Sequence, residues 1–312
     1  MEPGALLRAA REAAGISLRT MAQRTRYDAS YLSLIENGQR PTPASVTNAY
    51  QRVLGTTDLG RLTSAARTAA GADAATMEEV ATMLRSLRRI EDATGVMSVL
   101  PAVRGMSAMA AEFAREARTA HEQAVHLAAE VTQYRGYLEH AVGADLAARR
   151  SMTKAVDLAT ESGDPNRLVH SLTFAGVVTW SATGSYSEVV DLSDAALSVR
   201  GAHPVLRAYA AMRRAELLAT RGQISEARTA LGTADGAINA ADGAEPPPEA
   251  MYWWTPGFGA VQRGGVLTLL GETEQAIEEA TAGLAEMPTE HRRTEWLAST
   301  LRKIDPDMTD DV

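Results

Sequence analysis

The sequence predicts an all-α protein, with a small N-terminal helical head and a larger body of paired helices. Three observations carry that reading. From Thr76 onward the apolar residues recur with helical period almost without interruption. β-Branched residues rarely alternate with polar ones, and no hairpin-turn chemistry stands between them. Glycines at 143, 184, 222 and 271 each close one apolar helix and precede a second, which is the signature of a repeat.

The elements follow in order. Gly4–Ala14 is a short helix whose Leu6, Leu7 and Ala10 face the core of the head. Ser17 is placed to cap a second helix and Asp28 a third, and Met21, Ala22, Leu32 and Ile35 supply the apolar set that packs the two together. Glu36-Asn37-Gly38 ends the third helix, with Gly38 positioned for a left-handed turn. Ala44–Leu54 follows Pro43, with Val46, Val53 and Leu54 expected inward. Beyond the break at Gly55-Thr56-Thr57 comes a connecting helix, Leu59–Ala70, and a loose joint at Gly71-Ala72-Asp73. Met77–Ala93 and Val99–Ala117 are helical stretches, and Met77–Thr119 opens the body as one or two degenerate helical pairs.

Gly15-Ile16-Ser17-Leu18, followed by Tyr31-Leu32-Ser33-Leu34-Ile35-Glu36-Asn37-Gly38-Gln39-Arg40, resembles the Cro/C1-type helix-turn-helix of XRE-family regulators, over roughly Leu6–Leu54. The resemblance implies a lambda-repressor-like five-helix domain that binds double-stranded DNA. It places base-edge contacts on Ala29, Ser30, Ser33 and Leu34, and phosphate contacts on Ser17, Arg19, Gln23, Asn37 and Arg40, with Asp28 at the start of the recognition helix among them. Two residues depart from the family pattern. Arg26 stands where the turn residue is usually glycine, at a cost of about 1 kcal/mol if the left-handed conformation is kept. Leu34 stands where polar or basic residues are common, which limits readout there to weak contact or a thymine methyl. Glu36 reads as structural, because a carboxylate facing phosphates would repel them.

The body has an internal register. Seven residues before the four glycines stand Gly136, Val177, Ala215 and Gly264; five after stand Ala148, Val189, Ala227 and Ala276; twelve after stand Ala155, Ala196, Ala234 and Gly283. Small residues at these places let antiparallel helices approach closely. The framework resembles the tetratricopeptide repeat, most clearly from Leu269-Leu270-Gly271-Glu272 to Pro288. That resemblance implies a C-terminal tetratricopeptide-like α-solenoid. The glycine spacings of 41, 38 and 49 exceed the standard repeat of about 34 residues, so extra length enters, above all at Ala241–Trp254 around Pro246-Pro247-Pro248. The expected organisation is a DNA-binding domain at 1–56, a connector at 57–75, a repeat body at 76–304 and an acidic, frayed tail at 305–312.

Charge divides along the same lines. The net charge is −8, yet residues 1–55 hold seven arginines against four acids, a balance of +3, which leaves −11 for the other 257 residues. A basic head on an acidic body fits a local DNA footprint, and a head of only +3 favours paired binding by a homodimer. The absence of cysteine excludes disulfides and thiol chemistry. No apolar run approaches the roughly 20 residues of a membrane span and no secretory pattern opens the chain, so a cytoplasmic protein with no membrane partner is expected.

Catalytic motifs fail one by one. Ser151-Met152-Thr153-Lys154 spells S-x-x-K without a following K-T-G; the six histidines show no metal-binding spacing; the G-x-G at Gly257 lacks a preceding strand. No enzyme, metal or cofactor is expected. Tyr252-Trp253-Trp254 either floors a ligand pocket or anchors the long insertion. Carrying the repeat register over puts Gln133, Tyr137, His140, Ser171, Phe174, Tyr209, Met212, Glu216 and Phe258 on the groove-lining first helices. Tyr137, His140, Phe174, Tyr209, Met212, Glu216, Trp253, Trp254 and Phe258 are the candidate contacts for a small-molecule or peptide effector. A helix of a partner protein would suit the same surface, which leaves an interaction scaffold docked on DNA as the alternative.

Overall fold

A computed structural model of the chain describes residues 3–55, 68–292 and 295–309. All regular structure among them is helical. The chain divides into two compact units, Met1–Asp164 and Pro165–Val312.

The first unit opens with α1 (Pro3–Ala13), α2 (Leu18–Thr25), α3 (Ala29–Glu36) and α4 (Ala44–Leu54). Leu6, Leu7, Met21, Leu32, Ile35, Val46 and Tyr50 are all but sealed from solvent and form their core. The inward face of α4 differs from expectation: Val46, Ala49 and Tyr50 are buried, whereas Val53 and Leu54 are half-buried. Val53 shares the face of Val46, seven residues before it, but it and Leu54 are the last two residues of the helix. A Cβ on Gly4 would sit 1.7 Å from the Ile35 carbonyl oxygen, so glycine alone lets α1 lie this close to α3. The connecting helix expected at Leu59–Ala70 lies almost wholly outside the described residues; Ala69–Gly71 forms a single 3-10 turn.

Four long helices complete the unit: α5 (Ala74–Thr94), α6 (Val96–Glu116), α7 (His121–Ala141) and α8 (Asp145–Ser162). α1 packs on α5 and α6 as well as on α3 and α4, so the N-terminal helices share a core with the first long pair. Between α7 and α8 the packing is tight at Gly136, where an added Cβ would meet the Met152 side chain at 2.9 Å. Buried Glu139 accepts from Arg104 (3.0 Å), Arg135 (3.1 Å) and Ser151 (2.7 Å). Burial opposes its charge, but these three donors outweigh burial and hold the carboxyl below its ordinary range. Ser151 of the S-x-x-K sequence is thus a buried structural donor.

Glu91 behaves in the opposite way. Burial, reinforced by Asp92, pushes its carboxyl up to about 7 against the pull of Tyr134 and Arg88. A folded-state value above the unfolded one gives stability that is full below about pH 4.5 and is lost as pH rises through 7. Glu91→Gln is therefore expected to flatten the decline between pH 5 and 8 and to stabilise this unit by about 2 kcal/mol at pH 8. Urea denaturation of both proteins at the two pH values measures it.

The second unit holds three helical pairs: α9 (Pro165–Thr183) with α10 (Tyr186–Ser198), α11 (Pro204–Thr220) with α12 (Ile224–Ala241), and α13 (Pro256–Leu269) with α14 (Thr273–Glu286). The short α15 (Thr289–Arg292) and α16 (Glu295–Ile304) follow, and Leu297, Leu301 and Ile304 of α16 are buried. The first helices α9, α11 and α13 lie side by side in order, as tetratricopeptide-like pairs require. Gly143, Gly184, Gly222 and Gly271 all turn in the left-handed region (φ 62–82°), each between the two helices of a pair. Ala148, Ala155, Ala196, Ala215, Ala227, Ala234 and Ala276 are buried as the register requires. At Gly257 and Gly283 an added Cβ would lie 2.3 and 2.5 Å from the opposing carbonyl oxygen, so these glycines serve helix packing rather than a nucleotide loop. Within the segment expected to fray, Pro306–Thr309 forms a 3-10 turn packed on α16, and residues 310–312 lie outside the described residues.

Candidate nucleic-acid interface

The turn between α2 and α3 is set by local chemistry. Ser17 accepts from the Thr20 amide (3.1 Å) and caps α2. Asp28 accepts from the Ser30 (2.8 Å) and Tyr31 (3.1 Å) amides and caps α3, so its carboxylate is committed to the fold at the mouth of the candidate interface. Between them Arg26 adopts φ 60°, the one positive φ outside glycine among the described residues. Arg26→Gly relieves that strain and is expected to stabilise the N-terminal helices by about 0.5–1 kcal/mol, read as a higher melting temperature.

α3 turns its first residues outward. Ser30 is exposed, and Ala29, Ser33 and Leu34 are half-buried along the same edge. Its C-terminal end is closed by Gly38, and the Leu34 carbonyl accepts from the Gln39 (2.8 Å) and Arg40 (3.1 Å) amides. Asn37 bridges elements: its amide nitrogen donates to Ser33 Oγ (3.3 Å), and its oxygen accepts from Arg8 of α1 (3.4 Å). Arg19, Gln23 and Arg40 are exposed. The Arg40 guanidinium lies over the Tyr31 ring (5.6 Å), and Tyr31 leans on Tyr27 (5.8 Å). That Tyr27–Tyr31–Arg40 stack is not among the expected contacts, although the i, i+4 spacing of the tyrosines is a visible signal.

Beneath this edge lies a buried ion pair. Arg11 donates to both oxygens of Glu36 at 2.7 Å, and the Tyr50 hydroxyl donates to the same carboxylate at 2.8 Å. Arg11 also donates to the Ile16 carbonyl (2.9 Å). Burial and the neighbouring carboxylate push the Tyr50 phenol far above its ordinary value. Glu36 is structural, as expected, but its work is to tie α3 to α1 and α4. Arg11 is consequently no part of a DNA-facing charge. With Arg8 paired to Glu12 (2.9 Å), the exposed cations of this region are Arg19, Arg24, Arg26, Arg40 and Arg52, beside the exposed carboxylate of Asp28.

A family model described as a helix-turn-helix domain matches residues 3–63. The head is a helix-turn-helix domain. Its match spans about a fifth of the chain, and no curated protein matches the sequence. Among solved structures, that of PlcR from Bacillus thuringiensis in complex with the peptide PapR7 and DNA is similar at a TM-score of 0.47 and 13% identity, covering 95% of this chain and 98% of that one. Within the helix-turn-helix domain, α2 and α3 are the two helices joined by the turn at Arg26.

The candidate effector residues divide between the units. Tyr137 stacks on Tyr134 (6.1 Å) and His140 faces Asp145 (3.3 Å), both in the first unit. In the second, Phe174 of α9, Tyr209 of α11, Phe258 of α13 and Trp253 converge, with Trp253 5.1 Å from Tyr209 and 5.0 Å from Phe258, and Phe174 5.9 Å from Tyr209. Burial raises the Tyr209 phenol, opposed by Arg213 and supported by Glu216. Met212 is buried with Ala211 and Ala234, and Trp254 packs against that cluster. Tyr209 and Phe258 are buried, while Phe174, Trp253 and Trp254 keep part of their surface. The buried Met251 and the 3-10 turn Glu249–Met251 pin the insertion beneath them. Glu216 pairs with Arg213 (2.5 Å). Among the described residues no helix is long and apolar enough to cross a membrane.

Proposed function

We propose that this chain is a sequence-specific DNA-binding transcriptional regulator whose helical body senses an effector and joins two copies. One observation supports it above the others: the helix-turn-helix domain has Ser30 exposed at the small, polar start of α3, with Arg19 and Arg40 also exposed. A helix edge of Ala, Ser and Ser can approach base edges in the major groove, while arginines and the cap of α2 meet phosphates. Residues 1–56 read DNA, 57–75 connect, and 76–304 form the regulatory body. Ser17, Arg19, Gln23, Asn37 and Arg40 take the phosphates, Ala29, Ser30, Ser33 and Leu34 the bases, and Asp28 fixes the start of α3.

The small positive charge of the head supports binding as a homodimer, with two recognition helices about 34 Å apart. The aromatic group around Trp253 supports an effector site on the first helices of the second unit, and no catalysis is assigned to it. Such a regulator works in the cytoplasm. An effector alters DNA affinity only if it binds the two states of the protein differently. Genomic footprinting in the host tests the reading: protected sites of twofold symmetry, with half-sites one helical turn apart, are expected. Protection without a shared motif would refute sequence-specific binding.

A further inference from the structure

A crevice of about 60 Å³ lies between α9, α10 and α11, with Gly176 and Val189 in its lining. It holds room for roughly four to six water-sized groups, since one such group needs about 10–15 Å³ by this measure. Val177, Val189 and Leu217 make its wall apolar, so water alone fills it poorly. Its charged groups are unequal in sign. Arg213 and Arg214 line it against a single carboxylate, Glu216.

The pairing of those groups narrows the chemistry. Arg214 is engaged outside the crevice by Asp194 (2.9 Å) and by the Val190 carbonyl (3.2 Å). Glu216 meets Arg213 through one of its terminal nitrogens, and a guanidinium carries five N–H donors in a planar fork that suits a second carboxylate. The Ser193 hydroxyl oxygen, also in the lining, is buried and makes no hydrogen bond within the protein. A buried hydroxyl of that kind is costly unless something in the crevice completes it.

We propose that this crevice binds a small aliphatic carboxylate, with the acid group on Arg213 and Ser193 and a short branched tail against Val177, Val189 and Leu217. That such a ligand acts as the effector rests on the regulator reading above; that it binds does not. The decisive measurement is calorimetric titration of the full chain, without DNA, using 4-methylpentanoate and its uncharged analogue 4-methylpentanamide. The acid is expected to bind at least about tenfold more tightly than the amide. Arg213→Gln should remove that preference, and Ser193→Ala should weaken the acid alone. Gly176→Val should exclude both, because a side chain there points toward Val189 and fills the space.

Equal binding of acid and amide, or no binding of the acid up to about 10 mM, overturns the proposal. Should a variant fail to fold, the acid-against-amide comparison on the unaltered chain still decides. DNA plays no part in this titration. Failure of the chain to footprint would sink the regulator reading and leave the carboxylate site standing, and the reverse outcome would do the opposite.

Discussion

Glu36→Ala is expected to unfold the helix-turn-helix domain, at a cost of about 3–5 kcal/mol, and to abolish DNA binding with it. Arg11 and Glu36 are 7% and 4% exposed, and the guanidinium spends two hydrogen bonds on this carboxylate. Removing the acid leaves a buried cation whose remaining partners, Glu12 at 3.3 Å and the Ile16 carbonyl, cannot replace it. The Tyr50 hydroxyl loses its acceptor in the same step. The triple replacement Arg11→Met, Glu36→Leu, Tyr50→Phe should recover most of the stability, because the loss comes from orphaned polar groups rather than from the pair itself. Hydrogen exchange of the α1–α4 amides reads the effect locally. Full protection in the single variant would show that the network contributes little.

The second large effect is on binding without unfolding. Ser30→Ala, Ser33→Ala and Arg40→Ala together should lower affinity for the chain's own promoter fragment by about 100-fold or more, since each lost base contact costs about 1–3 kcal/mol and a dimer loses each twice. Ser30 and Arg40 are exposed and Ser33 is half-buried, so the fold should survive. Arg40 has a separate signature: its loss should weaken all sequences alike and reduce the salt slope by about one per head, whereas the serines should change the preference among sequences. Mobility-shift titrations at several salt concentrations separate the two. Affinity and salt slope equal to those of the unaltered chain would remove α3 from the interface.

Much of this was legible in local patterns. Ser17, Asp28 and Gly38 announce two capped helices and a left-handed stop because capping depends on residues within three or four positions of each other. The turn strain at Arg26 was visible for the same reason. The repeat was legible through small residues at fixed offsets from four glycines, since close helix approach admits nothing larger there. The candidate DNA edge followed from the same short stretch, by resemblance.

What the pattern left out depends on partners distant in the chain. Glu36 looked structural, but Arg11 and Tyr50, 25 and 14 residues away, became its partners only when α1 and α4 folded over α3. Tyr50 is not in the inward set expected of α4, although the helical turn places it beside Val46 and Ala49. The meeting of Phe174, Tyr209 and Phe258 with Trp253 likewise needed three helices laid side by side.

Sequence alone therefore determined the caps of α2 and α3 and the places where small residues admit a close neighbour, because those properties are written in contiguous residues. Tertiary packing decided which charges face inward and pair and which stay on the surface, since a side chain's surroundings are set by segments it meets only after folding. It also decided that α1 lies against α5 and α6 as well as within the head.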